Sequence, residues 1–354
     1  MIVMTRGLCG DLSNAPLRTR LAVVFALLVI GNALAWGLAF GAFHNEPVLL
    51  GTAFLAWVLG LRHAIDPDHI AAIDNVTRKL MQEGQQPVTT GLWFALGHST
   101  IVVVAAALLA LTAAALQDQF EEFKTIGGVI GVSVSAGFLI LIGLFNLTIL
   151  VGVWRNFREA RRTGRIHEDD TNALLARRGF LARILRPLFA MISKPWHMYP
   201  LGFLFALGFD TATEISLFGI AAASASNGVS FLDIMCFPLL FTAGMALADT
   251  ADGVLMLGAY GWAFVKPIRK LFYNLTITFL SVVVAFFIGG IEALALIGER
   301  LGLQGWFWDL VAGANDQMAL LGFLIVGVFA AAWALSALIY RLGGYDNMEI
   351  KAEA

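Results

Sequence analysis

Two imidazoles, two carboxylates and a guanidinium fall within the nine residues Arg62-His63-Ala64-Ile65-Asp66-Pro67-Asp68-His69-Ile70, in the middle of a long apolar stretch. Imidazole nitrogen combined with carboxylate oxygen suits a first-row divalent metal, whereas Ca²⁺ and Mg²⁺ favour oxygen alone. An ionisable side chain at the centre of a bilayer helix costs about 2.5–3.5 kcal/mol on insertion scales, so a cluster at that depth signals function rather than filler. On an unbroken helix His63 and His69 project roughly 120° apart, too divergent to hold one small ion. Pro67 offers the remedy. It lacks the N–H that would bond the His63 carbonyl and it drives Asp66 out of helical dihedrals, which predicts a kink or local unwinding. Interrupted helices near the midplane are where transporters build ion sites. The competing reading is a satisfied polar network that only ties helices together.

Three further stretches carry polar chemistry in apolar surroundings. Phe94-Ala95-Leu96-Gly97-His98-Ser99-Thr100 supplies an imidazole, as a ligand or as a helix–helix hydrogen-bond donor, and Phe205-Ala206-Leu207-Gly208-Phe209-Asp210-Thr211-Ala212-Thr213-Glu214 supplies two carboxylates. Their shared Phe-Ala-Leu-Gly-x-x-Thr hints at a parallel internal repeat. Gly244 to Gly253 includes Asp249 and Asp252, three residues apart and therefore on one helix face. Asp210, Glu214, Asp249 and Asp252 are candidate proton carriers. They are also candidate partners for Arg62, which needs an anion if its guanidinium is buried. Asn32, the strongly polar side chain of the first apolar run, is either packing glue or a ligand. His44 and Glu46 stand in a short loop where a cation could first be met, and His197, between Trp196 and Tyr199, reads as part of an interfacial aromatic belt.

The elements that must position these groups are membrane helices. Of 354 residues, 59% are hydrophobic and 14% charged, which places the chain in the membrane class, and a net charge of -2 gives nucleic acid no basic face. Cys9 and Cys236 suggest neither a disulfide framework nor a zinc knuckle. Apolar runs long enough for a ~30 Å hydrocarbon core fall at about 20–42, 48–76, 90–116, 126–153, 198–225, 230–262, 272–297 and 315–342. The expected fold is therefore all-α: a polytopic integral membrane protein with eight transmembrane helices in one domain. Of the 23 Lys and Arg residues, only Lys124 and Arg300 fall on one side, Arg62 lies inside the second helix, and all the rest fall on the other side. The positive-inside rule then puts both termini, the tail 1–19 and the loop 154–197 in the cytoplasm. Within that loop, Ala173 to Phe189 mixes leucines with Arg177, Arg178, Arg183 and Arg186 and reads as an amphipathic helix lying on anionic lipid.

Together these motifs resemble the nickel/cobalt transporter family, eight-helix permeases of bacteria and some fungi, over nearly all of the membrane region. The family hallmark His-x4-Asp-His is met by His63, Asp68 and His69. The family's signatures in its third, fifth and sixth helices are similar to Leu96–Thr100, Leu207–Glu214 and Gly244–Gly253. The commonest family version has Ala where Pro67 stands. The resemblance implies high-affinity uptake of Ni²⁺, Co²⁺ or both across the bacterial cytoplasmic (inner) membrane. It makes Asn32 the counterpart of a first-helix residue that influences metal choice. The metal-ligand candidates are His63, Asp66, Asp68, His69, His98 and Asn32; Arg62, Asp210, Glu214, Asp249 and Asp252 are candidates for the transport pathway or for ion pairs.

No resident cofactor is implied, since the metal is cargo. The expected partners are divalent transition-metal ions and membrane lipid. No G-x-x-x-x-G-K-[ST] sequence occurs, so neither ATP hydrolysis nor an ATPase subunit is indicated. A gradient or the membrane potential is the default energy source; a dication moving inward through 100 mV gains roughly 4.6 kcal/mol. The rival readings are an efflux permease, a membrane-bound metalloenzyme and a metal receptor. Efflux relatives carry a His-rich cytoplasmic loop, whereas 154–197 holds only His167 and His197. Diiron or zincin chemistry would need more clustered histidines or H-E-x-x-H, and only three of the 6 histidines lie within spans.

Overall fold

Long apolar runs with few charges leave the backbone no water to bond, so the chain resolves into helices that satisfy their own N–H and C=O groups. The computed structural model describes residues 15–112, 117–163, 166–167, 192–208, 211–263, 267–342 and 352–353. Its helices are α1 (Leu17–Phe43), α2 (Pro47–His63), α3 (Pro67–Gln82), α4 (Thr90–Thr112), α5 (Gln117–Thr163), α6 (Met198–Phe205), α7 (Ala212–Ser226), α8 (Phe231–Ile234), α9 (Cys236–Ala263), α10 (Pro267–Leu301), α11 (Trp306–Asp316) and α12 (Met318–Leu342). Among the described residues, the other regular structure is two short 3₁₀ turns and a parallel pairing of Ile166–His167 with Ala352–Glu353.

The expected eight spans become something coarser. Among the described residues, five stretches are long and apolar enough to cross a membrane singly: Leu17–Phe43, Thr90–Leu111, Gly128–Gly152, Phe231–Ala259 and Thr278–Leu301. Two interrupted pairs, Pro47–His63 with Pro67–Gln82 and Trp306–Asp316 with Leu320–Ala332, raise the number to as many as 7. The first break is the one Pro67 predicts. Helix α2 stops at His63, with Ala64 as its C-cap, and α3 restarts with Pro67 in its first turn, where a missing N–H costs nothing. The stretch read as one helix over 198–225 is also interrupted. Helix α6 tightens into a 3₁₀ turn over Ala206–Gly208, and α7 begins afresh behind Thr211, whose hydroxyl accepts from the Glu214 N–H. Thr-x-x-Glu is a capping-box sequence, and a cap of this kind starts a helix wherever it falls in an apolar run.

The chain forms two compact units. The first comprises Met1–Ala64, Leu80–Gly128 and Lys194–Val254. Its helices meet through glycines. A Cβ on Gly97 would collide with the Tyr199 carbonyl oxygen, and one on Gly202 with that of Phe94, so α4 and α6 lie backbone against backbone. Gly60 against Phe241, with Gly244 against Trp57, does the same for α2 and α9. Asn32 adds a polar tie. It donates to the carbonyls of Leu28 (2.9 Å) and Ala243 (3.1 Å) and accepts from Trp57 Nε1 (2.9 Å), joining α1 to α2 and α9.

The second unit comprises Ile65–Lys79, Val129–Ser193 and Leu255–Ala354. Its core is more polar. Ser281 donates to buried Asp74 at 2.7 Å, Arg78 donates to Asn75 Oδ1 at 3.1 Å, Asn146 also donates to Asn75, and Ser135 donates to Glu292 at 2.8 Å. Buried polar groups inside a bundle need such partners, because an unpaired one costs several kcal/mol. Outward faces are apolar instead. Leu27, Ile30, Leu34 and Leu38 on α1 and Phe323, Leu324, Leu335 and Leu338 on α12 are all exposed, a pattern that lipid covers and water does not favour.

Candidate metal centre

The first unit brings together chemistry from three helices. His63 ends α2, His98 sits mid-way along α4, and Thr211, Thr213 and Glu214 form the cap and first turn of α7. His63, His98, Thr213 and Glu214 are each at most 3% exposed. The glycine contacts described above explain this convergence. Gly97 lets α4 seat against α6 one residue before His98, and Gly60 lets α2 seat against α9 one turn before His63.

The atoms converge on a small volume. His63 Nε2 lies 2.8 Å from His98 Nε2, and His98 Nε2 lies 2.9 Å from Glu214 Oε1. Glu214 Oε1 is also 3.9 Å from His63 Nε2. The two rings approach with centroids 4.7 Å apart at 59°, and Phe241 closes on His63 at 5.5 Å. Two nitrogens and one oxygen, all able to present lone pairs to the same point, form a donor set suited to a borderline dication such as Ni²⁺, Co²⁺ or Zn²⁺. Behind them, Thr213 Oγ1 lies 3.0 Å from His63 Nδ1, Thr213 donates to Thr211 at 3.2 Å, and Thr211 donates to Glu214 Oε2 at 2.9 Å.

Asp66, Asp68 and His69 belong to the second unit. Asp66 is buried and its backbone oxygen accepts from the Ile70 N–H. Half-buried Asp68 accepts from the His69 N–H at 2.9 Å, and His69 is wholly buried in the first turn of α3. The Asn32 amide is occupied by α1, α2 and α9, as described above. Asp249 is fully buried and Asp252 half-buried on α9, while Asp210 lies outside the described residues, as does the stretch from Ala173 to Phe189. The Arg62 side chain is exposed, and the Glu214 carboxylate is engaged by His98 and Thr211. The reason is angular: adjacent residues diverge by about 100° on a helix, so turning His63 inward turns Arg62 away. Thr211 and Thr213 were within reach of sequence reading only as capping residues, through the Thr-x-x-Glu spacing.

Apolar helices of membrane length define the class: a multi-pass membrane protein. The chain belongs to the NicO family, described as high-affinity nickel-transport protein, whose model matches residues 49–339. It is 54% identical over 335 residues to the high-affinity nickel transport protein of Cupriavidus necator, covering 95% of each chain. It is 57% identical over 320 residues, 90% of this chain and 84% of the relative, to the hydrogenase nickel incorporation protein HupN of Bradyrhizobium diazoefficiens. The cobalt transport protein NhlF of Rhodococcus rhodochrous is 36% identical over 336 residues, 93% of this chain and 95% of the relative. No solved structure matches the chain. This is a family of transport proteins and not of enzymes, so the metalloenzyme reading of the histidines is set aside.

Proposed function

We propose that this protein takes up Ni²⁺, with Co²⁺ as a further substrate, across the bacterial cytoplasmic membrane. The observation that carries the reading is the meeting of His63 Nε2, His98 Nε2 and Glu214 Oε1 within 2.8–3.9 Å. In a family of nickel-transport proteins, that donor set is the natural place for cargo to pause. His69, Asp66 and Asp68 follow immediately after the α2 break and are assigned as further ligands from the same motif. Asn32 is assigned to holding α2 in place rather than to the metal itself. Asp249, Asp252 and Asp210 remain candidates for the ion path.

The architecture in this reading has eight spans within one transporter domain, the interrupted stretch of α6 and α7 supplying the eighth. Both termini and the loop 154–197 face the cytoplasm, a placement supported by the concentration of Lys and Arg on that side. Inward movement then follows the membrane potential, with no ATPase subunit. Radiolabelled Ni²⁺ uptake by cells expressing the chain, with Co²⁺ as competitor, tests the function. His63→Ala should lower uptake to background at normal membrane abundance. Wild-type uptake by that variant would remove the site from the path, and accelerated loss of preloaded Ni²⁺ would mark the protein as an exporter.

A further inference from the structure

We infer that the Thr213 and Thr211 hydroxyls are positioning groups that hold His63 as the tautomer protonated on Nδ1, so that its Nε2 lone pair faces His98 and Glu214. This deepens the proposed metal-site reading and rests on it. Each threonine hydroxyl has a single proton to give. A carboxylate only accepts, so Thr211 spends its proton on Glu214 Oε2 at 2.9 Å. Thr213 spends its own on Thr211 Oγ1 at 3.2 Å. Thr213 Oγ1 therefore meets His63 Nδ1, 3.0 Å away, as an acceptor, and Thr211 Oγ1 at 3.5 Å faces the same ring nitrogen. With the two hydroxyl protons placed in this way, Nδ1 carries the hydrogen, and in a neutral imidazole the other nitrogen, Nε2, is then bare.

The relay thus starts at the α7 cap and ends by selecting one nitrogen of a ring on α2. It acts on the tautomer and needs no change in protonation state. Metal-ligating histidines generally donate their second ring N–H to an oriented acceptor, and disturbing that acceptor typically costs about 10–100-fold in metal affinity. The usual acceptors are carboxylates, backbone carbonyls or water. Here a hydroxyl takes the role, and it is kept an acceptor by a second hydroxyl anchored on Glu214, itself one of the converging donors. The ring on one side of the site and the carboxylate on the other are consequently oriented by the same two threonines.

The test uses the full chain in lipid bilayers. Solid-state ¹⁵N NMR of histidine-labelled protein, with the His63 signals assigned by their loss in His63→Gln, should show a protonated Nδ1 and a bare Nε2. Thr213→Val, which keeps the shape and removes the hydroxyl, should weaken Ni²⁺ binding by about ten-fold or more and raise the Nε2–H population. Thr213→Ser should restore binding to within about three-fold of wild type, because the relay needs the hydroxyl alone. A wild-type His63 protonated on Nε2, unchanged binding in Thr213→Val, or equal losses in the Val and Ser variants would each overturn the relay. The NMR measurement on wild-type protein decides the point even if the Val variant fails to fold. His63→Ala separates the two levels of inference. If it abolishes binding while Thr213→Val has no effect, only the relay fails; if it binds Ni²⁺ normally, the site reading fails as well.

Discussion

Glu214 holds the site together. Its Oε1 faces both imidazoles, its Oε2 takes the Thr211 proton, and its backbone N–H is capped by the same threonine. Glu214→Gln keeps the size but replaces an acceptor-only anion with a neutral amide. Hydrogen bonds to charged groups contribute about 1.5–3 kcal/mol, so the substitution should weaken Ni²⁺ binding by about ten-fold or more, while the protein still inserts. Isothermal titration on the purified chain checks this, and wild-type affinity would show the carboxylate to be structural only. The imidazoles were legible in the sequence because charged and ring-nitrogen side chains in an apolar run are too costly to be incidental. The threonines were not, since hydroxyls are common in membrane helices and usually bond their own preceding turn. Residue type alone did not tell which way Arg62 turns: its one-residue offset from His63 carries it to an exposed face.

At the level of elements, two interruptions place the candidate ligands. α2 ends on His63 and α7 begins on Thr211, so the polar side chains fall where backbone groups are also freed. The first break was legible from Pro67. The second was hidden, because a capping box inside an apolar stretch leaves the hydropathy of the run unchanged. Small residues alone do not fix the close approach of α4 and α6, since pairing of Gly97 with Tyr199 and of Gly202 with Phe94 depends on register. A Gly97→Val change puts branched carbons where the Tyr199 carbonyl lies, displacing His98 on the next residue. Overpacking of this kind costs typically 1–3 kcal/mol or more. The variant should lose thermal stability and Ni²⁺ uptake together. A folded, fully active Gly97→Val protein would show that the two helices do not meet in the transporting molecule.

Across the whole molecule, composition established the membrane class at once, because an apolar outer surface of this extent has no other stable setting. The number of spans was less legible: a run of apolar residues does not reveal a mid-run cap or a second break such as that between Trp306–Asp316 and Leu320–Ala332, which meet at 75°. Topology in the proposed eight-span reading can be checked with single cysteines, in a background lacking Cys9 and Cys236, placed at each end of the chain. Both should resist a membrane-impermeant thiol reagent in intact cells and react after permeabilisation. Labelling of either terminus from outside would reverse or break the eight-span arrangement.

The central claim is that His63, His98 and Glu214 together hold the transported ion, and X-ray absorption spectroscopy at the nickel edge on the full chain in bilayers addresses it most directly. The nickel shell should contain at least two imidazole nitrogens with carboxylate oxygen, one imidazole being lost in His98→Ala. A shell of oxygen alone, or a shell unaltered in His98→Ala, would contradict it.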